Sequence, residues 1–235
     1  MAKKPEILHD LREIQYDSAH WNRLSSLRNR ALGIVQSIRS VAVNPFVYGS
    51  VARGDISKSS DIDLIVPRKV SSYRLEIALG QFLKRELVQA TPSMVLKGHI
   101  HLSDHAVVTF PLFKMMPREE EFYRWGGIVD EVGLKNDLRV PGVDKRLILI
   151  EPTKQGHREQ GVIGNEPEIA RKLNVSVGIA RERVRVLSRR DSVGRTGVYL
   201  TRMLDEDESF EEVAKQLQDS DPALRRTIER REGKR

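Results

Sequence analysis

The run Tyr48-Gly49-Ser50-Val51-Ala52-Arg53-Gly54-Asp55-Ile56-Ser57-Lys58-Ser59-Ser60-Asp61-Ile62-Asp63-Leu64 decides how this chain is read. Upstream, Phe46-Val47-Tyr48 is a short apolar run with the character of a buried strand, and Gly49-Ser50 stands at its end. Glycine leaves the backbone bare, so phosphate oxygens can approach main-chain N–H groups and the Ser50 hydroxyl there. Downstream, Asp61-Ile62-Asp63-Leu64-Ile65-Val66 alternates as a strand does. Residues two apart on a strand share a face, which places Asp61 and Asp63 side by side with Ile62 and Leu64 turned to the core. Two neighbouring ionised carboxylates call for a cation, and oxygen-only ligation suits Mg²⁺ carrying substrate phosphates.

A hydrophobic-Gly-Ser turn, a gap of this length, then Asp-hydrophobic-Asp-hydrophobic resembles the nucleotidyltransferase superfamily related to DNA polymerase β. The form Gly-Ser-x-Ala-Arg-Gly followed by Ser-Asp-Ile-Asp-Leu is most similar to its small prokaryotic, minimal members. At motif level the resemblance covers Phe46 to Val66, and at fold level it extends over about the first hundred residues. It implies transfer of a nucleoside monophosphate from a nucleoside triphosphate to a hydroxyl, with release of pyrophosphate. Under that resemblance Asp61 and Asp63 hold one or two Mg²⁺ ions. Gly49 and Ser50 grip the β/γ phosphates, and Arg53 adds charge at the leaving pyrophosphate.

The family uses a third carboxylate, usually on a later strand beside the pair. The next strand candidates are Gly98-His99-Ile100-His101-Leu102 and His105-Ala106-Val107-Val108-Thr109-Phe110, and the second carries no acid. Asp104, in the turn between them, is the nearby choice for the residue that deprotonates the acceptor. Glu76 reads as a solvated helix residue. His99, His101, Asp104 and His105 admit a metal-binding reading, since imidazole is a common ligand. A hairpin with polar residues around its turn is the plainer one, because no fourth ligand stands at zinc-site spacing.

With 235 residues the chain is long enough for two modest domains. It holds no cysteine, which excludes a disulfide framework and thiolate metal sites. No signal-like segment opens it and no run approaches a membrane span, so a cytoplasmic protein without membrane contact is expected. Forty Lys and Arg against 33 Asp and Glu give a net charge of +7, which draws polyanions without selecting among them.

Apolar spacing at Leu24, Leu27, Ala31, Ile34, Val35 and Ile38 predicts a helix before the Phe46 strand. The segment from Pro5 to about Ala19 is also helix-like. Ser71 or Ser72 is positioned to cap a helix reaching about Val88, with Leu75, Ala78, Leu79, Phe82 and Leu83 on one face. In Arg118–Gly127, Phe122 and Trp125 at three-residue spacing read as core aromatics, with base stacking by the aromatics and Arg124 as the rival reading. A loop at Arg139–Arg146 leads into the strand Leu147–Ile150 and marks the domain junction.

Glu168–Ser176 has the pattern of the first helix and turn of a helix-turn-helix. Ser176 caps a second helix through Arg181 and Arg185 to about Arg190, and Gly194–Leu200 resembles a wing. Between Glu168 and Arg195 stand eight Lys or Arg and three acids. In such a motif the second helix enters the major groove while arginines neutralise phosphates, which nominates Arg181, Arg185, Arg189 and Arg195 for RNA or DNA contact. Glu208 to Arg235 reads as one or two charged helices with a solvated basic end.

The expected architecture is an α/β (α+β) nucleotidyltransferase domain over residues 1–145, with a mixed sheet flanked by helices. A mainly α winged helix-turn-helix domain follows over residues 146–235. The expected partners are a nucleoside triphosphate and, through the second domain, RNA or DNA; a homodimer is admitted. Two other functions stay open: a nucleic-acid-binding regulator whose nucleotidyltransferase domain only senses nucleotide, and an enzyme that nucleotidylates protein.

Overall fold

The computed structural model describes residues 4–41, 44–103, 105–193 and 197–233. Its elements begin with β1 (Arg12–Gln15), α1 (Ser18–Arg39), β2 (Phe46–Tyr48), α2 (Ser50–Arg53), β3 (Ile62–Ile65) and α3 (Ser72–Leu79). Next come β4 (Lys84–Gln89), β5 (Lys97–Leu102), β6 (Ala106–Pro111), α4 (Pro117–Gly126), β7 (Ile128–Val129) and α5 (Glu131–Lys135). The chain continues with β8 (Gly142–Val143), β9 (Ile148–Thr153), β10 (Gly156–Gly161), α6 (Glu166–Lys172) and α7 (Val177–Val193). It closes with β11 (Leu200–Met203), α8 (Phe210–Ser220) and α9 (Pro222–Glu232). Among the described residues no helix is long and apolar enough to cross a membrane.

The chain forms two compact units, each assembled from separated stretches. One comprises Met1–Leu32, Val47–Ser60 and Glu120–Thr196; the other comprises Gly33–Phe46, Asp61–Glu119 and Gly197–Arg235. The expected junction near residue 145 falls inside the first unit.

In the first unit the antiparallel order β1-β10-β9-β8 makes a four-stranded sheet, and β2 pairs with β7. Its apolar cluster gathers Trp125, Val143, Leu147, Leu149 and Val162 with Ile169, Ala170, Leu173, Ile179 and Ala180 of the α6–α7 region. The aromatic at position 125 is therefore core, as its spacing with Phe122 implies. Leu173 and Ala170 face inward, and the turn between α6 and α7 closes through Val175 N–H to Ala170 O and a left-handed Asn174 (φ 50°). Ser176 caps α7: its Oγ accepts from the Ile179 N–H at 3.3 Å and donates to Glu121 at 2.6 Å. The segment from Pro5 to Ala19 is not a helix throughout. Arg12–Gln15 pairs with β10 instead, because its exposed and half-buried residues alternate with period two.

In the second unit the strand order is β11-β4-β5-β6-β3. β3 and β6 run parallel and the other pairs antiparallel, so the sheet is mixed. All but the edge strand β11 send alternate residues to a buried face: Ile62 and Leu64, Ala106 and Val108, Gly98 and Ile100, Arg85 and Leu87. Gly98 is required there, since a Cβ would lie 2.4 Å from Phe110 Cζ and 2.9 Å from Phe210 Cε1. Phe110 and Phe210 meet edge to face at 5.0 Å, and burying Phe210 contributes about 1.5–3 kcal/mol.

Three expectations are corrected in this unit. The helix from Ser72 stops at Leu79, with Gly80 at φ 70° as its cap, and Lys84–Gln89 is a strand. Leu200, the end of the stretch read as a wing, opens β11, which pairs with β4; Gly194 and Arg195 lie outside the described residues. The basic C-terminal end is not merely solvated. Arg231 is buried, donating to both Glu119 oxygens at 2.7 and 2.8 Å and to the carbonyls of Lys114 and Ser93.

Candidate functional site

The Gly-Ser turn belongs to the first unit. Gly49 has φ 78° and ψ −145°, a conformation that side chains disfavour, which is why glycine stands there. Its N–H donates to Gly127 O at 3.0 Å, and the one-turn helix α2 starts at Ser50. The Ser50 hydroxyl donates to Ser60 Oγ at 3.3 Å, and Ser60 Oγ also accepts from the Ser57 N–H at 2.8 Å.

Three residues brace this turn that the motif reading did not single out. Arg28 donates to Val51 O and Leu138 O, His20 Nε2 bonds to Gly54 O at 2.8 Å, and Asp55 pairs with Arg53. Arg53 was expected to face a pyrophosphate. It is buried at 5 % exposure, with Nε and Nη2 on the two Asp55 oxygens (2.9 and 3.0 Å) and Nη1 on Gly126 O (2.6 Å). Its charge is balanced in place, so its first task is to fix the backbone that carries Gly49 and Ser50.

The acidic half belongs to the second unit. Asp61 directly precedes β3 and is exposed; Asp63 lies within β3 and is half-buried between the buried Ile62 and Leu64. The Ile62 N–H donates to His105 O at 3.0 Å, which fixes the start of the strand. Asp104 lies outside the described residues.

Register then defines the face that Asp63 shares. Residues directly paired across neighbouring strands point to the same side of a sheet. One row runs Asp63, Val107, His101, Lys84, and the next runs Ile65, Thr109, His99, Glu86. The position beside Asp63 on the adjoining strand, where a third acid of the family pattern would stand, is Val107. One strand further out lies a polar group: His101 Nε2 is 2.6 Å from Glu86 Oε1, and His99 Nδ1 is 3.8 Å from the same oxygen.

Burial drives the His99 pKa down to about 4, so the ring is neutral at pH 7, although Glu86 opposes the shift. Burial pushes the Glu86 carboxyl up, but the hydrogen bond and charge of His101, with Lys84 and His99, outweigh it and leave the group below the usual range. Glu86 escaped the sequence reading because it lay in the predicted helix. Glu76 is half-buried rather than solvated; it accepts from Arg85 at 3.2 Å, and burial holds its pKa above the ordinary value.

On α7, Arg181, Arg185 and Arg189 are exposed and recur every four residues, which makes one basic stripe. Arg183 turns the other way, its guanidinium 5.0 Å from the Phe122 ring, and burial lowers its pKa. Arg195 lies outside the described residues. The first unit also holds a polar cleft of about 330 Å³ lined by Tyr16, His20, Asp55, Arg146 and His157 among others. Tyr16 Oη and His157 Nδ1 are 2.6 Å apart there, and burial raises the Tyr16 pKa.

A family model described as a nucleotidyltransferase domain matches residues 28–146, about half of the 235-residue chain. No curated protein and no solved structure matches the chain at a significant level.

Proposed function

The chain belongs to the nucleotidyltransferase-domain family, and we propose that it transfers a nucleoside monophosphate from a nucleoside triphosphate to a hydroxyl acceptor. The acceptor oxygen attacks the α-phosphorus, the bond to the β-phosphate oxygen breaks, pyrophosphate departs, and the hydroxyl proton is lost. The observation that carries this reading is the pair Asp61 and Asp63 at the start of β3. Asp61 is exposed and Asp63 stands on the half-open face, while Ile62 and Leu64 anchor the strand in the core.

The donor set fits a hard divalent cation, since two carboxylates offer oxygens only. Asp61 and Asp63 would hold one or two Mg²⁺ ions, which supply charge neutralisation for the triphosphate. The Gly49–Ser50 turn binds its terminal phosphates through the Ser50 hydroxyl and the backbone that follows Gly49, whose own N–H is held by Gly127 O. Arg53, neutralised by Asp55, keeps that backbone in shape. Asp104 takes the proton from the acceptor hydroxyl. Residues 28–146, which the family model matches, carry the transferase reading, and the α6–α7 pair serves as a helix-turn-helix, with Arg181, Arg185, Arg189 and Arg195 toward RNA or DNA.

Val107 beside Asp63 favours one second reading. A site without a third acid on that strand suits a nucleic-acid-binding regulator that senses nucleotide without transferring it. Label from each α-labelled nucleoside triphosphate, offered with Mg²⁺ to RNA, DNA and protein, separates the two. Incorporation by the wild type that disappears in Asp63→Ala establishes transfer and names the acceptor class. Mg²⁺-dependent nucleotide binding with no incorporation on any acceptor overturns it in favour of the sensor.

A further inference from the structure

We propose that Glu86, His99 and His101 form a site for one transition-metal dication of the zinc class, distinct from the Asp61–Asp63 pair. One ligand atom from each residue lies within 4.8 Å of the other two, and all three residues are half-buried. Two adjacent strands fix the backbone beneath them. Glu86 pairs directly with His99, and His101 follows two residues along the same strand. The ladder thus presents two imidazoles and one carboxylate on a single face, without reliance on a loop.

A simple carboxylate–histidine hydrogen bond accounts for only part of this arrangement. The His101 contact at 2.6 Å is such a bond, but His99 Nδ1 at 3.8 Å stands outside hydrogen-bond range of the carboxylate it faces. Ligand atoms held at about 2.0–2.1 Å around a tetrahedral ion are roughly 3.3 Å from each other. That separation lies between the two distances present here. An ion on Glu86 Oε1 would push His101 outward by well under an ångström and draw His99 in by a similar amount, both within reach of small rotations about the side-chain bonds.

Ligand chemistry chooses the ion. Imidazole nitrogens favour zinc, cobalt or nickel over magnesium, whereas the Asp61–Asp63 pair offers the opposite set. Three protein ligands leave one position open, on the same sheet face as Asp63. Lys84 approaches the second Glu86 oxygen at 3.5 Å, and Lys84 and Lys97 share this face. Their charge opposes a cation, so removal of Lys84 should strengthen binding.

The test uses the full chain, stripped with chelator, dialysed, and titrated with Zn²⁺ by calorimetry and with Co²⁺ by visible absorption. The expected result is one ion per chain with the intense visible band of four-coordinate Co²⁺. Replacing His101 with Ala or Glu86 with Gln should weaken binding at least about tenfold, since even residues behind the ligands cost that much. Lys84→Met should tighten it, and Asp63→Ala should leave it unchanged. Absence of the Co²⁺ band in the folded wild type overturns the proposal. So does a site that Asp63→Ala abolishes while His101→Ala and Glu86→Gln spare it. The readout needs no nucleotide transfer, so it can fail or succeed independently of the proposed reaction.

Discussion

Val107 stands directly across from Asp63 in the parallel pairing of β3 with β6. The two side chains share the half-open face, so the strand next to the acid pair places a methyl-bearing residue where the family pattern calls for a carboxylate. Under the proposed transfer reaction, proton removal from the acceptor comes from outside that strand, with Asp104 as the nominated group.

Val107→Asp tests this directly. Position 107 is half-buried on the open face, and a carboxylate there repels Asp63 until a cation binds between them. The variant is therefore assayed with Mg²⁺ and checked for folding by circular dichroism. If the chain lacks a third acid, nucleotide incorporation should rise by tenfold or more, since a positioned general base contributes about 10²–10⁴-fold. If Asp104 already serves, incorporation should stay flat in Val107→Asp and fall in Asp104→Ala. Incorporation rates for both variants beside the wild type decide between them.

Arg231→Ala should destabilise the second unit by about 2–4 kcal/mol, because it removes a buried guanidinium and leaves the half-buried Glu119 without its cation. Urea unfolding followed by circular dichroism reads the loss. Arg231→Lys should recover part of it, since a single ammonium cannot reproduce the two-bond fork. A loss under 1 kcal/mol for the Ala variant would show that the pair is dispensable.

Acid should weaken the fold through His99. Its folded pKa of about 4 lies below the ordinary value of 6.5, so the unfolded chain binds the extra proton first as pH falls. The contribution is complete above pH 6.5 and is lost progressively down to about pH 4. The loss is of order 3 kcal/mol at most. Denaturation midpoints at pH 7 and pH 5 should converge in His99→Gln relative to the wild type, and an unchanged pH dependence would remove His99 as the source.

Substituting Arg181, Arg185 and Arg189 together by Ala should reduce the salt dependence of RNA or DNA binding. Each lost phosphate contact lowers the slope of log affinity against log salt by about 1. A fluorescence-anisotropy titration across salt concentrations measures it. An unaltered slope would reassign the stripe to a protein partner.

What the sequence disclosed follows from where its polar residues fall. β3 was legible because Ile62 and Leu64 alternate with two acids, and α1 because its buried residues keep helical spacing. β4 was not. Its inward-facing positions are Arg85, Leu87 and Gln89, with Arg85 and Gln89 both buried and bonded to backbone carbonyls. Two polar residues in the core erase the alternation that would mark a strand, and the helix-forming run before Gly80 then reads on past it. Missing β4 hid Glu86, and with it the third member of the histidine cluster. Arg53 misled for a related reason. An arginine in a phosphate-type motif reads as a ligand, while its carboxylate partner Asp55 sits only two residues away and claims it. The strand β1 and the pairing of β11 with β4 join residues far apart in sequence, and no local pattern announces them.

The pairing of β11 with β4 also sets an order of events during synthesis. The strand and two helices that finish the sheet carrying Asp63, from Leu200 to Glu232, are translated well after the stretch that the family model matches. While the ribosome is still making them, β4 has an open edge, and the pocket around Gly98 and Phe110 lacks Phe210. An unpaired edge beside exposed apolar surface is the state in which nascent chains associate wrongly. The face carrying Asp63 is thus completed among the last parts of the molecule to form, and a chain released early would be an aggregation hazard.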